Sequence, residues 1–78
     1  MSRADEVRAA VAEHLQVEPD LLTEQVSLRE DLGLDSLEGI ELATALEDHF
    51  SMRITDDELA AVRTYGDLKR LVLRKVAA

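Results

Sequence analysis

Apolar positions recur every three to four residues in three stretches of the chain and lose that rhythm between the first two. Ala4, Val7, Val11 and Leu15 lie on one helical stripe, preceded by Ser2 as a good N-cap with Asp5 three residues on. This spacing predicts a first helix over 3–15. From Gln16 to Leu34, Pro19 and a mixture of polar and β-branched residues leave about twenty positions without sustained periodicity, more than most connections in a compact domain. Leu21, Leu22, Val26, Leu28 and Leu32 are scattered through this stretch. They predict a long loop pinned to a core by apolar anchors, with a helical turn after Pro19 as an option.

The rhythm resumes after Gly33-Leu34-Asp35. Asp35 is placed to cap a second helix, Glu38 sits at the reciprocal capping-box distance, and good helix formers run on to Phe50. Thr55 and Glu58 repeat the box ahead of Leu59 and Val62, but the pattern lasts under two turns and predicts a short helix. Thr64 with Asp67 opens the last one. There Leu68, Leu71, Val72 and Val76 form the stripe, and Arg70, Arg74 and Lys75 suit the negative end of the helix dipole. The expected architecture is all-α: a small bundle of three longer helices and one short helix, with a long loop between the first and second, forming a single domain over 1–78.

Composition narrows this picture. The chain has 78 residues, 46% of them hydrophobic, yet Phe50 and Tyr65 are its only aromatic side chains outside the histidines, so the core must be aliphatic. A chain this short buries roughly 60% of its extended surface, which supports one modest core and no multi-domain enzyme. With no cysteine, a disulfide framework, a Cys-ligated zinc site and a Cys nucleophile are all excluded. Residues 1–6 carry acids and no apolar run, so no signal peptide is expected, and cytoplasmic residence is the default.

The net charge of −8 opposes nucleic acid or an anionic membrane as partner and favours basic protein surfaces. Its distribution is uneven. Residues 1–29 contribute −3 and residues 53–78 contribute +2, whereas the segment 30–52 holds seven acids and neither lysine nor arginine. The second helix carries most of that segment and has two apolar surfaces. Leu42, Leu46, Phe50 and Ala43 share one face, while Ile40 and Leu37 fall about 160° and 220° round from Leu42. Glu41, Glu47 and Asp48 flank that second pair. An apolar centre ringed by carboxylates suits transient, salt-sensitive docking of a basic partner.

Ser36 stands at the start of this helix, where backbone N–H groups lack helical partners and favour a phosphate ester on the hydroxyl. The run Asp31-Leu32-Gly33-Leu34-Asp35-Ser36-Leu37, followed by Glu38-Gly39-Ile40-Glu41-Leu42, resembles the attachment motif of acyl carrier proteins. Ala45 to Phe50 looks like the end of that family's second helix, Ile54 to Glu58 like the start of its third, and Thr64 to Leu68 like the start of its fourth. Length, long first loop and acidity match the family too, so essentially the whole chain is covered; Leu34 before Asp35, Gly39 and the preference for Arg over Lys resemble stand-alone carriers of specialised or polyketide-type pathways.

The resemblance implies a carrier and not an enzyme. A phosphopantetheinyl transferase would move 4′-phosphopantetheine from coenzyme A onto Ser36, and the arm would hold acyl groups as thioesters. The arm's own sulfur would be the working thiol, with no protein thiol competing. Asp35, Leu37, Ile40, Glu41, Glu47 and Asp48 would form the recognition surface for acyltransferase, ketosynthase or acyl-activating enzymes of a fatty-acid or polyketide-type pathway. Leu46, Ile54, Leu59 and Val62 would line the region that shelters the acyl chain. A monomer without metal or membrane insertion is expected.

Polar Thr44 stands where many fatty-acid carriers have a third bulky apolar residue. An aminoacyl or peptidyl-type carrier is an alternative, although Asp before the serine is more typical of acyl carriers. A non-catalytic acidic helical adaptor for a basic protein is another. A serine hydrolase lacks the Gly-x-Ser-x-Gly elbow, because positions 34 and 38 are Leu and Glu. A calcium loop begun at Asp31 fails as well, having Ser36 where Gly is wanted and Leu42 where a bidentate Glu is required.

Overall fold

A computed structural model describes residues 2–77; the outermost positions of the expected domain, 1 and 78, lie outside the described residues. Four α-helices follow one another: α1 (Arg3–Leu15), α2 (Ser36–Phe50), the short α3 (Asp56–Ala60) and α4 (Tyr65–Ala77). Local chemistry sets where the first three begin. Ser2, Asp35 and Thr55 each accept the N–H of the residue three ahead, and that residue's carboxylate accepts the cap's own N–H, a full capping box in all three cases. The C-terminal ends of α1 and α2 are less orthodox. Gln16 and Ser51 take the left-handed conformation there, at φ 57° and 52°, without the glycine that usually marks such a stop.

The core is aliphatic around one aromatic ring. Val7, Val11 and Ala12 of α1, Leu42 and Leu46 of α2, and Tyr65, Leu68 and Val72 of α4 form the buried cluster together with Leu22 from the loop. Each fully buried Val or Leu side chain here contributes about 1.5–3 kcal/mol. The Tyr65 ring lies under the Arg8 guanidinium, 5.8 Å from its centroid. No helix among the described residues is long and apolar enough to cross a membrane.

The long loop is more ordered than its sequence pattern implies. Pro19–Leu21 form a 3-10 turn. The stretch beyond it then runs antiparallel to the approach to α4: Gly66 N–H donates to the Glu24 carbonyl at 3.1 Å, Tyr65 N–H to Val26 at 3.0 Å, and Leu28 N–H to Arg63 at 3.0 Å. Ser27 and Thr64 form a lone β-bridge between the two. Leu22 is the buried anchor and Val26, Leu28 and Leu32 pack half-buried against the core. Leu21 corrects the expectation of five anchors. The 3-10 turn rotates it outward while its neighbour Leu22 goes in, leaving Leu21 54% exposed.

Ion pairs fasten the loop and α3 onto α4. The Glu24 carboxylate accepts from Lys69 Nζ and, at 2.9 Å, from Arg70 Nη1, while Arg70 Nη2 reaches Asp67 Oδ1 at 2.8 Å. Glu58 Oε1 accepts from Lys75 Nζ at 2.8 Å and from the Thr55 N–H at 2.9 Å. The Lys75 hydrogen bond above all, then the Thr55 N–H, holds the Glu58 pKa down from the ordinary 4.5 to about 2. A carboxylate whose pKa is lower folded than unfolded adds stability that is whole above the unfolded value and is lost as pH falls through the folded one. The gap in thermal midpoint between the wild type and Glu58→Gln should therefore be open near neutrality and close between about pH 4.5 and pH 2. A gap that stays constant through acid unfolding curves would contradict this role.

Candidate functional site

The N-terminus of α2 presents Ser36 as its first residue, with the hydroxyl on the exposed surface. Gly33, at φ +72°, takes the left-handed turn that delivers Leu34 and Asp35 to the helix start. Asp35 and Glu38 then lock the first turn: Glu38 N–H donates to Asp35 Oδ1 at 2.8 Å, and Asp35 N–H donates to Glu38 Oε1 at 3.1 Å. Gly39 N–H reaches the Asp35 carbonyl at 2.9 Å. These bonds leave the N–H groups of Ser36 and Leu37 without partners among the described residues. An exposed hydroxyl beside two free amides at the positive end of a helix dipole fits a phosphodiester on Ser36.

A cavity of about 690 Å³ opens beside this hydroxyl, between α2, α3 and the loop. Ser36, Asp35, Gly39 and Ile40 line its near side; Leu59, Ala60 and Val62 line it from α3 and the turn that follows. Leu42, Ala43 and Leu68 close it toward the core. A Cβ placed on Gly39 would meet nothing within 4 Å, so this glycine faces open space. Of the four residues expected near an acyl chain, Leu59 and Val62 are at the cavity. Leu46 is instead fully buried in the helical core and Ile54 stands between α2 and α3; neither is among the residues lining the cavity.

The outer face of α2 carries the expected apolar pair. Leu37 is 64% and Ile40 54% exposed, with Glu41 and Asp48 exposed on the same helix. None of the seven carboxylates of segment 30–52 takes part in an ion pair among the described residues; the carboxylates so engaged are Glu6, Glu24, Glu58 and Asp67. The acidity on this face is therefore uncompensated. Glu47 differs from its neighbours, being half-buried with Oε2 accepting the Ile54 N–H at 2.7 Å. It anchors the chain after α2 as well as contributing charge. Thr44 turns its hydroxyl back onto the Ile40 carbonyl at 3.0 Å.

Neither histidine is positioned as a base for Ser36. His49 lies about 20 Å along α2 from it, by the helical rise, and His49 Nε2 stands 3.3 Å from Glu6 Oε2. His14 is exposed in the last turn of α1. Sequence reasoning passed over Leu34, Ala43 and Ala60 as lining residues, because a cavity arises from packing among three segments and leaves no local pattern.

The family described as the phosphopantetheine attachment site matches residues 5–72. The chain is 40% identical over 73 residues to the acyl carrier protein of Caulobacter vibrioides, covering 94% of each, and 38% identical over 74 residues to that of Phenylobacterium zucineum, covering 95% of this chain and 94% of the other. Among solved structures, a holo acyl carrier protein from Geobacter metallireducens superposes with a TM-score of 0.81 at 27% identity, covering 99% of this chain and 88% of that one. An acyl carrier protein from Thermotoga maritima gives 0.76 at 29% identity, with 94% and 85% covered. The chain belongs to the acyl carrier protein family, and 4′-phosphopantetheine is the group that this family carries.

Proposed function

We propose that Ser36 is the attachment point and that the chain tethers acyl intermediates for partner enzymes without catalysing their conversion. The observation that carries this reading is the Ser36 hydroxyl, exposed beside two unpaired backbone amides and a cavity walled in part by Leu34, Leu59 and Val62. In the transfer, Ser36 Oγ forms a bond to the phosphorus of the pantetheine arm in coenzyme A. The phosphoanhydride bond breaks, adenosine 3′,5′-bisphosphate leaves, and the transferase takes the hydroxyl proton. Once attached, the arm supplies a terminal thiol that holds acyl groups as thioesters. The unpaired Ser36 and Leu37 amides would be the groups to hold the phosphodiester, Asp35 and Glu38 keep the helix start rigid, and Leu59 and Val62 would offer the cargo an apolar wall.

Partners are expected to be cytoplasmic enzymes with basic docking surfaces: the phosphopantetheinyl transferase, then acyltransferase, ketosynthase or acyl-activating enzymes. Leu37 and Ile40 give such a surface a dry centre, and Glu41 and Asp48 orient it. Fatty-acid and polyketide-type pathways both fit this reading. Incubation with coenzyme A, magnesium and a broad-specificity transferase, followed by intact mass measurement, tests it: one added arm supports the reading, and an unmodified chain refutes it. Glu41→Lys probes the surface more cleanly than Glu47→Lys, because Glu47 also holds the Ile54 N–H. Reversal at Glu41 should slow arm transfer at low salt about tenfold or more with little change in unfolding midpoint. Equal transfer rates for both proteins would exclude the face from docking.

A further inference from the structure

Two cations stand at the otherwise largely apolar and acidic cavity beside Ser36. Arg29 comes from the loop and Arg63 from the turn before α4, and both line it. The backbone holds their segments together. Leu28 N–H donates to the Arg63 carbonyl at 3.0 Å, and Leu34 N–H donates to the Leu28 carbonyl at 3.0 Å, which extends the ladder to within two residues of Ser36.

Their ionic state sets them apart from most other cations in the chain. Arg3, Lys69, Arg70 and Lys75 are paired with carboxylates, and Arg8 covers the Tyr65 ring. Arg29 and Arg63 have no ion-pair partner among the described residues, although Glu30, Asp35 and Asp56 line the same cavity. Asp35 is already engaged by the Glu38 N–H. Arg53 and Arg74 are also unpaired but are not among the residues lining this cavity. Both arginines thus line the cavity, exposed and without an ion-pair partner among the described residues, and their side chains are free to turn toward an anion that enters it.

We propose that Arg29 and Arg63 make the cavity selective for acyl cargo that bears a free carboxylate, a dicarboxylic half-thioester in preference to an alkyl chain of equal length. This rests on the carrier reading. Leu34, Ile40, Leu59 and Val62 take the methylenes, and the planar guanidiniums meet the distal carboxylate with charge-assisted, bidentate geometry. A neutral chain gains nothing from either arginine. At a solvent-accessible site the pairing favours the sheltered state of the charged cargo by about two- to fivefold. The arm's own phosphodiester is a competing anion, but it is fixed at Ser36 and common to every cargo, so its effect appears on the bare arm.

The test compares holo protein carrying the bare arm, a hexanoyl arm and an adipoyl arm, each loaded from the corresponding coenzyme A derivative and verified by intact mass. The Arg29 and Arg63 Nε–Hε resonances are followed from low to high salt. The adipoyl form should shift both resonances relative to the bare arm, the hexanoyl form should not, and salt should collapse the difference. Arg29→Gln with Arg63→Gln should abolish the difference between the adipoyl and hexanoyl forms in the shifts of the Ala60 and Val62 amides, whereas Arg53→Gln with Arg74→Gln should leave that difference in place. Equal shifts with both cargoes overturn the proposal. Shifts already complete on the bare arm overturn it too and assign the arginines to the phosphodiester. Failure to load any arm overturns it together with the carrier reading, while loading without a cargo difference overturns it alone.

Discussion

Ser36→Ala is expected to abolish arm attachment entirely while leaving the fold in place. The two effects separate because Ser36 contributes little to its own helix. Its side chain is exposed, the cap of α2 is Asp35, and the first turn is locked by the reciprocal bonds of Asp35 and Glu38. Alanine at the first helical position keeps these bonds and loses a hydroxyl that has no partner among the described residues. Stability should therefore change by no more than about 0.5 kcal/mol. Asp35→Ala should do the reverse to the fold, costing about 1 kcal/mol as a lost cap. Intact mass after incubation with coenzyme A and a transferase, beside an unfolding curve, reads both sides. A variant that still takes the arm, or one that no longer folds, would contradict this division of labour.

The second large effect lies on another helix, at Gly66 in the first turn of α4. Its N–H bonds to the Glu24 carbonyl at 3.1 Å, and the loop backbone lies so close that a Cβ there would stand 2.7 Å from the Glu24 carbonyl oxygen and 2.8 Å from Glu24 Oε1. The side-chain contact could be relieved by a rotamer change. The carbonyl contact could not, because that oxygen belongs to the backbone stitched to Val26, Leu28 and the approach to α4. Gly66→Ala should therefore push the loop away, strain the pairing of Glu24 with Lys69 and Arg70, and cost about 1–3 kcal/mol. In a domain of this size that lowers the thermal midpoint by roughly 4–8 °C per kcal/mol. Gly39→Ala is the matched control, since its Cβ meets open space and helix propensity favours alanine by up to about 1 kcal/mol. Equal stability of Gly66→Ala and wild type in thermal or urea unfolding would show that the close approach is not rigid.

These two glycines show which parts of the molecule a sequence displays. Helix starts were legible because a capping box needs only two residues three apart, and Ser2 with Asp5, Asp35 with Glu38 and Thr55 with Glu58 each satisfy it locally. The two faces of α2 were legible because helical periodicity puts Leu42 and Leu46 on one side and Leu37 and Ile40 on the other. Gly66 was visible only as part of a family-like run, since its constraint comes from Glu24, a distant loop residue. The outward turn of Leu21 depends on a short 3-10 segment that hydrophobicity alone does not orient. Likewise Leu46 and Leu59 are both apolar and near α2 in the fold, yet only Leu59 reaches the cavity, because packing among α2, α3 and the loop decides which side of the core each one faces. The concentration of acids was plain from the chain. Their lack of ion-pair partners required knowing that Lys69, Arg70 and Lys75 are taken by Glu24, Asp67 and Glu58.

The most direct measurement for the central claim is the position of the arm. After incubation with coenzyme A and transferase, cleavage at Arg29 and Arg53 yields a peptide over 30–53 in which Ser36, Thr44 and Ser51 are the hydroxyl-bearing side chains. Fragmentation should place a single phosphopantetheine on Ser36, with Thr44 and Ser51 unmodified. An unmodified peptide, or an arm on either of the other two residues, would contradict the account.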